Sequence, residues 1–331
     1  MSYRQANDTQ KTLARRSFLQ LLAGASVGMA LLAACVPITA PADAPSTTNP
    51  QEEPTLQLQQ VVVNGVELHY VEQGEGDPLV FVHDGLNDYR RWLPQMERFA
   101  PHYRVIAYSQ RYYYPNQNLP IVDEYTTLVD ASDLGAFLQA LSLERSHIVG
   151  YSSGAFMALA MAMEHPELVR SLVLAEPPIQ HWLPELPDGD AVYTEFMSTF
   201  WQPVGDAFRQ GDQERALRLS VEFFVGADIL DELPAEVRQG LEENLAGWEA
   251  FTTSHDCFPM LDKAQIASLP MPMLLLTAES TLSTHRLINA ELVRLLPQAQ
   301  HVHLADATHE MWSEQPDACG EAVLHFLQVQ A

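Results

Sequence analysis

Ser146-His147-Ile148-Val149-Gly150-Tyr151-Ser152-Ser153-Gly154-Ala155-Phe156-Met157-Ala158-Leu159-Ala160-Met161-Ala162-Met163-Glu164-His165 joins two patterns at one point. Its start is a short apolar run, as in a strand buried on both faces. From Gly154 onward it is alanine, methionine and leucine, which favour helix. The junction reads Gly150-Tyr151-Ser152-Ser153-Gly154, a G-x-S-x-G pentapeptide. Such a motif carries weight only between a buried strand and a helix, and here it has both. A serine at so sharp a turn holds its hydroxyl out over the sheet edge. Side chains at the two flanking positions would collide, so both are glycine. The helix start also offers free backbone N–H groups and a positive dipole end beside Ser152.

The same alternation extends in both directions. Residues 61–70 read as a β-hairpin with Asn64-Gly65 at its turn. Residues 78–83, 104–108, 172–175, 273–277 and 301–304 are short apolar or alternating runs that predict strands. Helical spacing appears over 128–141, near 285–296 and over about 316–327. Strand–helix alternation of this kind predicts a mainly parallel sheet covered on both faces. It stops after Glu176 and resumes at Met273. The intervening segment, about 178–268, predicts helices alone, which is the pattern of a cap inserted between two strands of one sheet. No internal repeat is evident.

The bulk numbers set limits. The chain has 331 residues, 47% of them hydrophobic, enough for one large core. The formal charge is −25, which would repel a phosphate backbone and argues against nucleic-acid binding. The three cysteines, Cys35, Cys257 and Cys319, form no CxxC pair and no Cys/His cluster with metal spacing, so no metal site is expected. A Cys257–Cys319 disulfide is compatible with an oxidising compartment. The first residues read as an address. Arg15-Arg16-Ser17-Phe18-Leu19 resembles a twin-arginine export signal, and Leu32-Ala33-Ala34-Cys35 resembles a lipobox. Residues 1–34 are thus expected to be an export signal, Cys35 the lipidated residue and 35–55 a flexible tether rich in Pro, Ala, Thr and Ser. The expected location is the outer face of a bacterial membrane, through that lipid.

With Val82-His83-Asp84-Gly85, the serine turn, and Glu164-His165-Pro166-Glu167-Leu168-Val169-Arg170-Ser171-Leu172-Val173-Leu174, residues 56–331 resemble the capped, single-chain members of the α/β-hydrolase superfamily. The resemblance implies a mostly parallel eight-stranded sheet flanked by helices, with the cap inserted after the sixth strand. It implies Ser152 as nucleophile and the backbone N–H groups of Gly85 and Ser153 as the oxyanion hole. Asp84 stands where the family usually has glycine; it is expected to face solvent or pair with Arg90. His83 is expected to shape the loop. Of the 12 histidines, His309 follows the last strand in the loop where the family places its base, and neutral imidazole suits that work.

The acid departs from the pattern. The loop after the seventh strand, Thr277-Ala278-Glu279-Ser280-Thr281-Leu282, holds Thr281 or Ser280 where aspartate is usual. Two glutamates are candidates: Glu176 after the sixth strand, as in some haloalkane dehalogenases, and Glu279 as the alternative. Glu176 is preferred on that resemblance, with Pro177-Pro178 holding the chain extended as it leaves the sheet, while Glu279 lies in the more usual loop but two residues early. The cap carries 17 acidic and 5 basic residues, with aromatics read mainly as its own core. Its underside is expected to offer an apolar wall to a small substrate. One of Tyr112, Tyr113 and Tyr114 is expected at the entrance. The expected activity is hydrolysis of a carboxylic ester or lactone without a cofactor. Alternatives are a cofactor-free perhydrolase or haloperoxidase-like enzyme, and a surface lipoprotein that binds a small ligand with little turnover. The serine argues against a dehalogenase or epoxide hydrolase, whose nucleophile is aspartate. The oligomeric state is left open.

Overall fold

The computed structural model describes residues 56–116 and 118–330. The expected export signal of 1–34, the expected lipidation of Cys35 and the expected tether of 35–55 lie outside the described residues. No helix among the described residues is long and apolar enough to cross a membrane.

Eight strands form one sheet: β1 (Gln59–Val63), β2 (Val66–Gln73), β3 (Pro78–Val82), β4 (Arg104–Tyr108), β5 (Ser146–Tyr151), β6 (Val169–Ala175), β7 (Met273–Ala278) and β8 (Gln300–Leu304). Their order is β1-β2-β4-β3-β5-β6-β7-β8. β1 and β2 pair antiparallel through the Asn64-Gly65 turn, and β2 pairs antiparallel with β4; every other pair is parallel. Helices α1 (Leu93–Phe99), α2 (Thr127–Ala140) and α3 (Ser153–Glu164) link the early strands. The chain between β6 and β7 is helical: α4 (Gly189–Phe196), α5 (Gln202–Arg209), α6 (Gln213–Val225), α7 (Ala235–Glu243), α8 (Leu245–Thr253) and α9 (Lys263–Ala267). α10 (Ser283–Leu295), α11 (Met311–Glu314) and α12 (Pro316–Gln328) complete the fold.

Strand side chains alternate between two faces, and the core divides accordingly. Leu79, Phe81, Val149, Tyr151, Val173 and Leu274 meet Trp92 and Phe99 around α1 and Phe326 of α12. Val80, Val82, Ile148, Leu172, Leu174 and Leu275 meet α2, α3, α10 and the cap. Phe81 is fully buried, its ring 4.7 Å from that of Trp92, so truncation to alanine would cost about 3–5 kcal/mol. The same division separates the two cysteines. Cys257 lies in one layer and Cys319 in the other, and both are free and buried. The sheet between them rules out the disulfide considered from sequence.

Candidate active site

The parallel strands all end on one side, and the candidate residues leave from those ends. Ser152 follows β5 with φ 52° and ψ −123°, a backbone position costly to a residue with a Cβ. Close packing leaves no room to relax it. A Cβ on Gly154 would lie 2.4 Å from the carbonyl oxygens of Val82 and His83, and one on Gly150 2.6 Å from the Ala155 Cα. α3 begins at Ser153, so that N–H is one of the first four in a helix, without an acceptor inside it. Ser153 and Gly85 line one cavity with Ser152 and His309.

Three side chains converge there. His309 Nε2 lies 3.1 Å from Ser152 Oγ, and His309 Nδ1 lies 2.7 Å from Glu176 Oε2. Glu176 leaves the end of β6 with φ 51°, which turns its fully buried carboxylate beneath the imidazole. It accepts three further hydrogen bonds: from Ala278 N at 2.9 Å, the Thr281 hydroxyl at 2.6 Å and the Asn289 amide at 3.0 Å. A buried carboxylate with four donors is compensated for its lost water. Burial lowers the His309 pKa, but the hydrogen bond and charge of Glu176, with the charges of Glu310 and Asp84, outweigh it and hold the imidazole above its ordinary value. The Tyr151 hydroxyl donates to the His309 carbonyl at 2.6 Å, which fixes the loop. Glu279 is exposed on the surface and accepts from Asp306 N at 3.0 Å. It is not brought to His309.

Sequence alone did not single out Asn289 or Tyr151, because nothing in their local pattern marks them. Thr281 was visible as the residue in the usual aspartate place; its hydroxyl instead donates to a carboxylate arriving from the neighbouring strand.

Asp84 requires a correction. It is buried, not turned to solvent, and its partner is Arg91, not Arg90. Asp84 Oδ1 is 3.8 Å from Arg91 Nε, and Oδ2 accepts from the Asn87 amide at 2.8 Å. Burial pushes the Asp84 carboxyl up to about 6, against the pull of Arg91. Arg90 is engaged elsewhere: it bonds Asp88 at 2.6 Å and Glu243 of α7 at 2.8 Å, tying the loop to the cap. His83 is buried; its Nδ1–H donates to the Asp84 carbonyl at 2.8 Å and its Nε2 accepts from Gln110 N at 3.0 Å. Burial pushes it down to about 4, so it stays neutral and shapes the loop.

The cavity has a volume of about 340 Å³, the size of a small-molecule site. Phe196, Phe200, Trp201, Phe223, Phe224 and Trp248 of the cap line it, stacked on one another, with Phe200 and Phe223 rings 3.7 Å apart. These aromatics are cap core and cavity wall at once; Trp182 and Phe208 do not line the cavity. The tyrosine loop does not reach it. Tyr112 and Tyr113 are buried, and Tyr114 lies under Arg90, 4.1 Å from its ring centre. α8 covers this loop: the Tyr113 ring presses on Gly247, and Asn244 accepts from Tyr114 N at 2.9 Å.

With this geometry in place, three comparisons place the chain among known proteins. Residues 77–316 match the sequence model of a family described as having the alpha/beta hydrolase fold. Over 245 residues the chain is 26% identical to a protein of Pantoea ananatis named as a carbamate hydrolase, covering 72% of this chain and 84% of that one. Over 281 residues it is 24% identical to a protein of Mycobacterium tuberculosis named as a non-heme bromoperoxidase, covering 79% and 97%. The crystal structure of the enol-lactonase from Burkholderia xenovorans superposes with a TM-score of 0.66 at 20% identity, over 82% of this chain and all of that one, a likeness of fold.

Proposed function

The chain belongs to the α/β-hydrolase family and is a hydrolase, and from that premise we propose that it cleaves a carboxylic ester or lactone through an acyl-enzyme on Ser152. The observation that carries this reading is the unbroken line Ser152 Oγ–His309 Nε2, 3.1 Å, and His309 Nδ1–Glu176 Oε2, 2.7 Å, opening into the aromatic cavity. His309 takes the Ser152 proton as Oγ attacks the carbonyl carbon. The Gly85 and Ser153 N–H groups hold the oxyanion. His309 then returns the proton to the leaving alcohol oxygen. Water attacks the acyl group by the same route and releases the acid. Glu176 holds His309 in one tautomer and stabilises its cation. The aromatic cap receives an apolar portion of the substrate.

Covalent labelling by a fluorophosphonate tests the serine. Wild type is expected to label and Ser152→Ala not; a wild type that does not label would leave ligand binding without turnover as the better account. Turnover of p-nitrophenyl esters of short and long acyl chains then tests the substrate class. Perhydrolysis needs the same residues with hydrogen peroxide in place of water. The likeness to the mycobacterial protein named as a bromoperoxidase supports assaying it alongside. The reading extends to attachment through lipidated Cys35, for which fatty-acid incorporation lost in Cys35→Ala is the expected outcome.

A further inference from the structure

His285 is a second imidazole in the same cavity, and the hydrolysis described above does not use it. It lies in the first turn of α10, four residues after Thr281. The segment that gives the Thr281 hydroxyl to Glu176 therefore also sets this ring against His309. The two ring centres are 4.3 Å apart with the planes at 40°. His285 is 4% exposed and lines the cavity with Ser152 and His309. Its Nδ1 lies 3.3 Å from the Thr284 hydroxyl oxygen, and its Nε2 has no partner among the described residues. A buried polar atom left unpaired is costly, and a leucine or phenylalanine would pack there without that cost.

We propose that His285 Nε2 holds the water that attacks the acyl-enzyme, an inference that rests on the acyl-enzyme reading. The incoming water donates one hydrogen to His309 Nε2 and the other to the lone pair of His285 Nε2. Its own lone pair is then left for the acyl carbonyl carbon. As the new C–O bond forms, His309 Nε2 takes the first proton. The carbonyl carbon–Ser152 Oγ bond then breaks, His309 returns that proton to Oγ, and the carboxylic acid leaves. His285 gains and loses no proton. Burial and the neighbouring His309 hold its pKa well below the ordinary histidine value, so it keeps its lone pair when His309 becomes a cation.

Methanol separates this role from simple packing. As a nucleophile it gives its only hydroxyl hydrogen to His309 and has none for His285. In His285→Phe the ring remains and the acceptor is lost. Stopped-flow turnover of a p-nitrophenyl ester is expected to show a burst rate within about 2-fold of wild type and a deacylation rate down about 10-fold, the effect of one hydrogen bond. The partition of the acyl-enzyme between added methanol and water should rise about 10-fold toward methanol. His285→Leu should give the same partition shift, and either variant that folds decides. His285→Gln, which keeps an acceptor, should partition like wild type. An unchanged partition in His285→Phe or His285→Leu, or equal slowing of both nucleophiles, overturns the proposal. Wild type without a burst and without fluorophosphonate labelling would instead overturn the acyl-enzyme reading, so the two failures are distinct.

Discussion

The loops after β6 and β7 leave the sheet side by side, and each has a glutamate at its start. Glu176 is fully buried, meets three donors besides His309 and sits on a turned backbone. Glu279 is exposed and bonds one loop N–H. In the usual arrangement the β7 loop would supply the acid; here it supplies the Thr281 hydroxyl and the Ala278 N–H that hold an acid from next door. The difference teaches that a carboxylate becomes useful to a histidine through its donors and its burial, and that neighbouring strand ends can exchange the task.

The comparison breaks most sharply at Glu176. Glu176→Gln is expected to lower kcat by about 10³–10⁴-fold, with a melting curve showing that the fold persists. Should Glu279→Gln produce that loss instead, the assignment of the two loops is reversed. A second variant asks whether adjacency alone matters. Aspartate returned to the β7 loop, as Thr281→Asp in the Glu176→Gln background, is expected to recover about 10- to 100-fold in kcat, the worth of a charge-assisted hydrogen bond. No recovery would mean that the β6 route is required.

pH sharpens the picture further. In the proposed mechanism His309 must be neutral to accept the Ser152 proton, and its pKa is held above the ordinary value. The rate kcat/KM should therefore fall, as pH drops, through a midpoint above about 6.5. In linkage terms the raised pKa means that the protonated His309–Glu176 pair adds stability below the unfolded histidine pKa. That stability is lost as pH rises through the folded one. Asp84→Asn removes one of the charges that raise His309. The acid limb should move to lower pH, with an effect confined to conditions above about 6, where Asp84 is ionised. An unmoved limb would show that Arg91 already cancels the Asp84 field. The smallest effect belongs to the exposed loop. Glu279→Gln should change kcat less than about 2-fold and stability by no more than about 0.5 kcal/mol, read by steady-state kinetics and thermal unfolding.

Much of this molecule was legible in one dimension because it depends on local rules. Short apolar runs marked the strands, helical spacing marked the helices, and the absence of strands between Glu176 and Met273 marked the helical insertion. Gly150-Tyr151-Ser152-Ser153-Gly154 reads as a strand–turn–helix from its local pattern, and the Gly150 constraint is local, set by Gly154 and Ala155, whereas that on Gly154 comes from Val82 and His83 on the neighbouring strand end. His309 was visible from its place after a strand. Glu176 was visible as a candidate, with Glu279 beside it. The choice between them needed the distance across strands, since burial and donors come from residues more than a hundred positions away.

What the tertiary structure alone decided has the same character throughout. Arg91 in place of Arg90 as the partner of Asp84 follows from which way a short helical turn faces. The tyrosine loop is closed off because α8 packs over it, and the cysteines are separated because the chain after α8 and helix α12 pack in different layers of the core. His285 meets His309 because one turn of α10 follows Thr281. Sequence by itself determined the kinds of element, their order and the residues able to do chemistry, since these rest on near neighbours. The structure determined which of those residues meet, since contact between distant positions is set by how whole strands and helices pack.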